Sequence, residues 1–501
     1  MLPAISSLSS SSRFRSTRSS PLQAALALAV AATGPAAGCT LTRTTVTDCR
    51  TNAECRGAFG FGSVCGDDGL CAPGAPTKRC TQTDPPDLFE KGPDDGDRIL
   101  FGNLMDRSVE THVARERSAQ LAYDQANGEG GLGGREFGAV FCTIEENSEF
   151  DDLTRVEAAK QSAEFLSRTI GVPAIVGPAA SSDTQEVFQD LKADGVVVIS
   201  PSATSPALTA LDPNDVSDDS PGLLWRTAPS DALQGSVIAS DMLGPGEGRL
   251  GQVTSVAAIH EVGAYGEGLF KVFADEFRAG GGSVEEFPFE GEGQLTDAIA
   301  DVGALPVQEV LFISSQAPNI VAFLNGAATL PDYDDKNIFL TDAAANPDVL
   351  AASSTRFDQV RATRPAPLNE NDDPVYASFI AAYTAAFRED VRPFSFAAHA
   401  YDAAWLLVYG AAWAVLQAEG GVVDGGNIAR GLRHVSSGAT VEVRPSGWVS
   451  VLQAFREGKS INASGASGAI DYDPTTEETS AAIQVWRIEG RNIDGIYTVN
   501  P

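Results

Sequence analysis

Two short stretches, PAIVGPAASSDTQ at 173–185 and VVVISPSATSPALT at 196–209, each run from apolar residues straight into small hydroxyl side chains. Ser181 and Ser182 stand in the first; Ser200, Ser202, Thr204 and Ser205 stand in the second. Hydroxyls of this size donate and accept hydrogen bonds while filling little space. Such residues also begin helices, where unpaired backbone N–H groups and a partial positive charge favour an anion. Delivered to one edge of a sheet, the two clusters make a polar pocket for a small anionic or zwitterionic molecule. The plainer use of the same residues is helix capping and turn formation, with Ser182 or Asp183 as N-cap and Gln185 or Glu186 three positions on.

The apolar runs need a sheet to hold them. RILFGN, FGAVFC, PAIVGP, GVVVIS, SVAAIH, VLFISS and IFLTD are short and apolar, as buried strands are. Between them lie helical stretches such as TRVEAAKQSAEFLSRTI, where Val156, Ala159, Ala163, Phe165, Leu166 and Ile170 recur near the helical period. Alternating strands and helices predict an α/β fold of parallel sheets with helices on both faces. At 501 residues the chain exceeds one hydrophobic core, and the number of strands fits two sheets better than one. AAWLLVYGAAWAVL, 403–416, falls short of the roughly 20 residues that span a bilayer and predicts a buried core helix.

Charge and cysteines narrow the function classes. With 67 acidic against 35 basic residues, the net charge of −32 repels nucleic acid and anionic headgroups at long range. Neither is expected as a direct partner. The acids are spread without a block, which reads as a solvated surface and not a cation site. Arg13, Arg15 and Arg18 precede LQAALALAVAA and then PAAGC, so residues 1–38 read as an export signal. Cys39 is then either one more structural thiol behind an ordinary signal peptide or the acylated residue of a bacterial lipobox. AAGC is similar to the lipoprotein pattern, with Ala36 where leucine is usual, and acyl chains there would hold the protein on a membrane.

Export also sets how the other thiols are read. Cys49, Cys55, Cys65, Cys71, Cys80 and Cys142 suggest three disulfides of open connectivity in an oxidising compartment. CRTNAECRGAFGFGSVCGDDGLC is too short for a core, so bridges are expected to hold it. Zinc is the alternative, but it calls for CxxC pairs or nearby histidines that the segment lacks. If four of these cysteines pair locally, Cys80 is left for Cys142. DPPDLFEKGPDDGD, 84–97, reads as a solvated linker.

Several blocks, in order along 98–490, resemble the periplasmic substrate-binding proteins of type I fold, in the leucine/isoleucine/valine-binding branch. They are SAQLAYDQANGEGGLGGREF, GPAASSDTQ, SPSATSPALT, LLWRTAPSDALQG, GRLGQVTSVAAIHEVGAYGEGLF, AHAYDAAWLL and GASGAIDYD. The resemblance implies two lobes joined by hinge strands, with a ligand held in the cleft as they close. Residues 1–38 are then a signal peptide and 39–97 a Cys-rich stalk and linker. The N-terminal lobe is expected at 98–232 plus 346–470, and the C-terminal lobe at 233–345 plus 471–501.

In amino-acid-binding members, a serine after the GP turn and the threonine of the SPxAT turn hold the ligand carboxylate. These match Ser181, with Ser182 adjacent, and Thr204. The resemblance further implies that the backbone carbonyl of Ser202 receives the ammonium, that Tyr265 closes over the ligand, and that Asp342 pairs with the ammonium. Charged ligand groups need several charge-assisted hydrogen bonds to offset lost hydration, and these residue types supply them. The chain departs from the pattern at SSQAPN, with Gln316 or Ala317 where a tyrosine is expected, and at Asp342, which is shorter than a glutamate. NLMDRSVETH brings Asp106 and Arg107 toward the cleft mouth in place of a small apolar turn. The ligand is therefore expected to be small and polar, and other than leucine.

Enzyme signatures are absent. GEGGLGGREFG runs from helix into strand, the reverse of a phosphate cradle, and reads as a loop. His112, His260, His399 and His434 fall in different segments without metal-ligand spacing, and no turn reads as a GxSxG elbow. Asp402 reads as a structural acid near a helix start. The expectation is a non-enzymatic, exported and lipid-anchored solute-binding protein of the periplasm or cell envelope. It would carry no cofactor and would serve an ABC-type membrane permease. The alternative is a sensory or scaffolding lipoprotein with the same fold.

Overall fold

The structure, a computed structural model, describes residues 48–74, 77–90, 98–146, 148–212, 216–352, 360–369 and 371–501. The export segment and Cys39 lie outside these residues.

The Cys-rich segment is organised by its bridges. A helix, Asn52–Phe59, packs on an antiparallel pair, β1 (Ser63–Cys65) and β2 (Cys71–Pro73), and Cys49–Cys65 and Cys55–Cys71 staple the three together. Cys80–Cys142 then ties the segment to the main body. All six thiols are oxidised in pairs, so none is free to ligate zinc. Arg56 donates to the carbonyl of Thr169 at 2.5 Å, and Asn52 to that of Arg168 at 2.9 Å. These carbonyls lie where the helix Arg155–Glu164 loosens into a π-helical turn, Phe165–Ile170, whose end needs outside donors.

The first lobe is built on β3 (Gln82–Asp84), β4 (Ile99–Met105), β5 (Phe137–Thr143), β6 (Ala174–Val176), β7 (Val197–Ser200) and β8 (Leu224–Arg226). Their spatial order is β3-β5-β4-β6-β7-β8. All neighbours are parallel except β3, which runs against β5. The start of the expected linker, at Asp84, is thus part of an edge strand. Every residue of β4 to β8 is buried, because helices cover both faces. That is why these strands read as unbroken apolar runs.

The second lobe starts with β9 (Ser255–Glu261), β10 (Ser283–Phe289), β11 (Glu309–Ile313), β12 (Asn337–Leu340) and β13 (Arg361–Pro365). A small sheet of β14 (Ala439–Glu442), β15 (Ile461–Gly465) and β16 (Gly468–Ala469) sits on the first lobe. The chain then returns as β17 (Ile483–Glu489) and β18 (Asn492–Val499), completing the order β10-β9-β11-β12-β13-β17-β18. Only the β13–β17 and β17–β18 pairs are antiparallel. All seven apolar runs singled out in the sequence contain strands. The edge strand β10 escaped notice because Glu285, Glu286 and Pro288 interrupt its apolar character.

Three crossings join the lobes. The first follows Arg226, before the helix Asp231–Leu243. The second was expected at 346, but Val349, Val360 and Ala362 pack in the second lobe's core and β13 belongs to its sheet, so the chain returns after Pro365. The third was expected at 471, but Tyr472 still packs in the first core, edge-on to Trp225 at 4.8 Å. The helix Ala397–Gln417 is the spine of the first core and buries every residue of its 403–412 stretch. Among the described residues, no helix is long and apolar enough to cross a membrane.

Candidate functional site

The carboxyl edges of both sheets face a common cleft with about 590 Å³ of atom-free space. The first lobe lines it with Thr111, His112 and Arg115 after β4, Ala179 to Ser181 after β6, and Ser202 after β7. The second lobe adds Tyr265 after β9, Ser315 to Ala317 after β11, and Asp342, Ala343 and Asn346 after β12. Ser395 and Phe396 close one side.

The two hydroxyl clusters interlock. Ser202 Oγ donates to the carbonyl of Ala179 at 2.9 Å, Ser200 Oγ to that of Pro178 at 2.6 Å, and Ser181 Oγ accepts from the Ser205 N–H at 3.2 Å. The first cluster does not cap the helix that follows it. The helix Ser181–Leu191 begins after Ala180 without a side-chain cap. Asp183 instead pairs with Arg155 at 2.8 Å, and Ser182 reaches the other lobe. After the second cluster the chain makes only a 3₁₀ turn, Pro206–Ala210, which Ser205 caps.

The lobes touch at the back of these clusters. Ser182 Oγ accepts from the Ala264 N–H at 3.1 Å, and Ser205 Oγ donates to the Ala264 carbonyl at 2.5 Å. Gly263, at φ 121°, makes this approach feasible, since a Cβ there would lie 2.7 Å from Ser182 Oγ. On another side Asn346 donates to Thr111 Oγ1 at 3.1 Å.

Ser181, Ser202, Tyr265 and Asp342 line the cleft, together with Gln316 and Ala317; Ser182 and Thr204 do not. Thr204 Oγ1 donates to Asp231 Oδ2 at 2.8 Å, beneath the cleft floor. Arg107, expected at the mouth, is turned to Glu116 at 3.0 Å, while Asp106 accepts from Ser108.

Arg115 is the residue that sequence reading missed. Only 6 % exposed, it donates to Ser202 Oγ at 2.9 Å, to the Ser395 carbonyl at 3.0 Å and to Ser395 Oγ at 3.3 Å. Its guanidinium lies 5.2 Å from the centre of the Phe396 ring. No carboxylate among the described residues forms an ion pair with it. Burial lowers its pKa to about 9, so it stays charged at neutral pH. The signal was available: Arg115 stands in the buried stripe of Thr111, Ala114, Ser118, Ala119 and Ala122 on the helix Glu110–Gly128, where a charge is out of place.

The opposite side is acidic. Tyr265 donates to Asp342 Oδ1 at 2.5 Å and Gln234 to the same atom at 2.9 Å. Burial, followed by the charge of Asp342, pushes Asp231 well above the usual carboxylate range, and burial raises Asp342 too. Asp231 Oδ1 is buried without a partner among the described residues. The cleft thus presents a buried cation flanked by hydroxyls on one side and a carboxyl–phenol group on the other.

Comparison with known proteins agrees with this geometry. The periplasmic binding protein family model matches residues 111–492. The substrate-binding protein BasB of a chemotactic signal transduction system in Halobacterium salinarum is 24% identical over 366 residues, covering 72% of this chain and 79% of that protein. A Leu/Ile/Val/Thr-binding protein of Salmonella typhimurium is 25% identical over 49% of this chain and 64% of its own length. Among solved structures, a leucine-binding protein of Thermotoga maritima superposes with a TM-score of 0.62 at 18% identity, covering 80% of this chain and 99% of that one. A branched-chain amino acid binding protein of Streptococcus pneumoniae, solved with isoleucine, gives 0.60 at 21% identity, covering 81% and 100%. At these identities the structural matches speak to the fold alone. With the family model matching 111–492, most of both lobes, the chain belongs to the periplasmic binding protein family.

Proposed function

We propose that this protein captures a small carboxylate-bearing, amino-acid-like solute in the inter-lobe cleft and presents it to an ABC-type permease. One observation carries the reading: a buried, charged Arg115 opens into the cleft with no ion pair among the described residues, and the charge of Asp342 across the cleft acts on it only from beyond contact distance. A charge so placed costs several kcal/mol unless an anion completes it. A ligand carboxylate fits between Arg115 and Ser181, with Ser202 positioning the guanidinium. Tyr265 and Asp342 receive the ligand's ammonium. Thr204 acts through Asp231 and not by direct contact, and Ser182 latches the lobes. The basic, apolar and small-residue segments that end at Cys39 support export and lipid anchoring in the cell envelope.

Thermal unfolding of the soluble portion against amino acids and carboxylates tests this. A ligand at 100 times its dissociation constant stabilises by about 2.7 kcal/mol. At the same ligand concentration Arg115→Gln should cut this to about 0.3–1.4 kcal/mol; a panel without any active carboxylate defeats the proposal.

A second reading is favoured by one relative. BasB, matched over 72% of this chain, is named for chemotactic signal transduction, so ligand capture here would serve sensing instead of uptake. Deleting the protein then leaves uptake of the solute intact and removes the cellular response to it.

A further inference from the structure

Behind the cleft lies a second cavity with about 670 Å³ of atom-free space, larger than the cleft itself. The two share Asp342, Ser395 and Phe396, so they meet at that wall. Neither Ser181 nor Ser202 reaches the rear cavity. Its walls come from the crossing segment Arg364–Leu368, the helix Pro374–Phe387 and the loop ahead of the helix Ala397–Gln417. Phe379, Phe394 and Phe396 give it a buried aromatic lining, and Arg364 stands in the same wall.

Phe396 marks the boundary. Its backbone is left-handed, at φ 61° and ψ 10°, a conformation that a bulky residue rarely adopts and that tends to occur at ligand clamps. Its ring lies 5.2 Å from the Arg115 guanidinium. A carboxylate held by Arg115 therefore sets whatever it carries beside this ring.

We propose that the rear cavity is a second subsite for the same ligand. The head sits at Arg115, and an aromatic side chain longer than that of leucine passes Phe396 and fills the cavity. This rests on the capture function proposed above and narrows its ligand class. Aromatic walls favour a ring in edge-on or offset contact. The Arg364–Leu368 wall is the crossing between lobes, so a filled cavity also braces the closed form.

Calorimetric titration with alanine, leucine, phenylalanine and 2-amino-4-phenylbutanoate tests the subsite, using wild type and two cavity-filling variants, Ala398→Phe and Leu368→Trp. Neither residue lines the cleft. Affinity should rise along the series, with 2-amino-4-phenylbutanoate at least about tenfold above leucine, given the apolar area it buries. Either variant should lower that affinity by about tenfold or more while changing alanine binding by less than about twofold. Equal affinity of leucine and the longer acids, or equal loss for short and long ligands in both folded variants, overturns the subsite while leaving capture intact. Failure of all four while another carboxylate binds overturns the subsite alone, and failure of every carboxylate tried overturns both readings.

Discussion

Thr204 Oγ1 lies 2.8 Å from Asp231 Oδ2, joining the hydroxyl turn of the first lobe to the first residue of the helix that opens the second. The hydroxyl that family resemblance assigns to the ligand is engaged by a carboxyl group of the protein. Because Asp231 Oδ1 has no partner among the described residues, Thr204 supplies this carboxyl group's one side-chain hydrogen bond.

Thr204→Val should therefore destabilise the fold by about 1–3 kcal/mol, the cost of leaving a buried polar group unsatisfied. Urea unfolding measures this. Thr204→Ser should restore most of the loss, and no change in either variant removes the coupling.

Arg115→Met separates stability from binding. Replacing a buried charge that has no ion pair among the described residues with an apolar side chain of similar length should leave unfolding free energy unchanged or raise it, by up to about 4 kcal/mol. Affinity for a carboxylate ligand should fall by about 10- to 150-fold, the equivalent of about 1.5–3 kcal/mol for a charge-assisted hydrogen bond. Loss of stability without loss of binding would mean that Arg115 is structural.

Asp402 predicts a pH dependence. It is fully buried on the helix Ala397–Gln417 and accepts from the N–H groups of Ala466 and Ser467 and from Ser467 Oγ. Burial outweighs these bonds and raises its pKa from 3.8 to about 7. The folded state thus holds a proton that the unfolded state has released, so this group's stabilisation is lost as pH rises through that window. Asp402→Asn should make the slope of unfolding free energy against pH between 4 and 7 less negative by about 1.4 kcal/mol per pH unit. An unchanged slope, followed by urea unfolding at each pH, counts against a protonated Asp402.

The Cys80–Cys142 bridge spans 62 positions and is the covalent tie between the stapled segment and the first sheet. Replacing both cysteines by serine should cost about 2–4 kcal/mol, through the larger freedom of the unfolded chain. Protease cleavage of the 48–90 region should also become faster. Equal protease resistance in mutant and wild type would show that the hydrogen bonds from Arg56 and Asn52 suffice to hold the segment.

Much of the architecture was legible because a strand buried on both faces has no polar alternation to hide it. ILFGNLM and AVFC could be little else. β13 and β10 were harder, since Arg361 and Arg364 in one and Glu285 and Glu286 in the other break the run. With β13 unread, the second lobe seemed to end some twenty positions early.

The chain's own order of residue types determined two α/β lobes, bridged cysteines, and a polar edge at Ser181 and Ser202, because apolar periodicity and small hydroxyls act locally. Only tertiary structure decided that Thr204 turns to Asp231, that Ser182 reaches Ala264, and that Arg115 stands beside Ser202 and Phe396. These contacts join residues from 27 to 281 positions apart, and the direction of each side chain depends on which partner packing brings within reach.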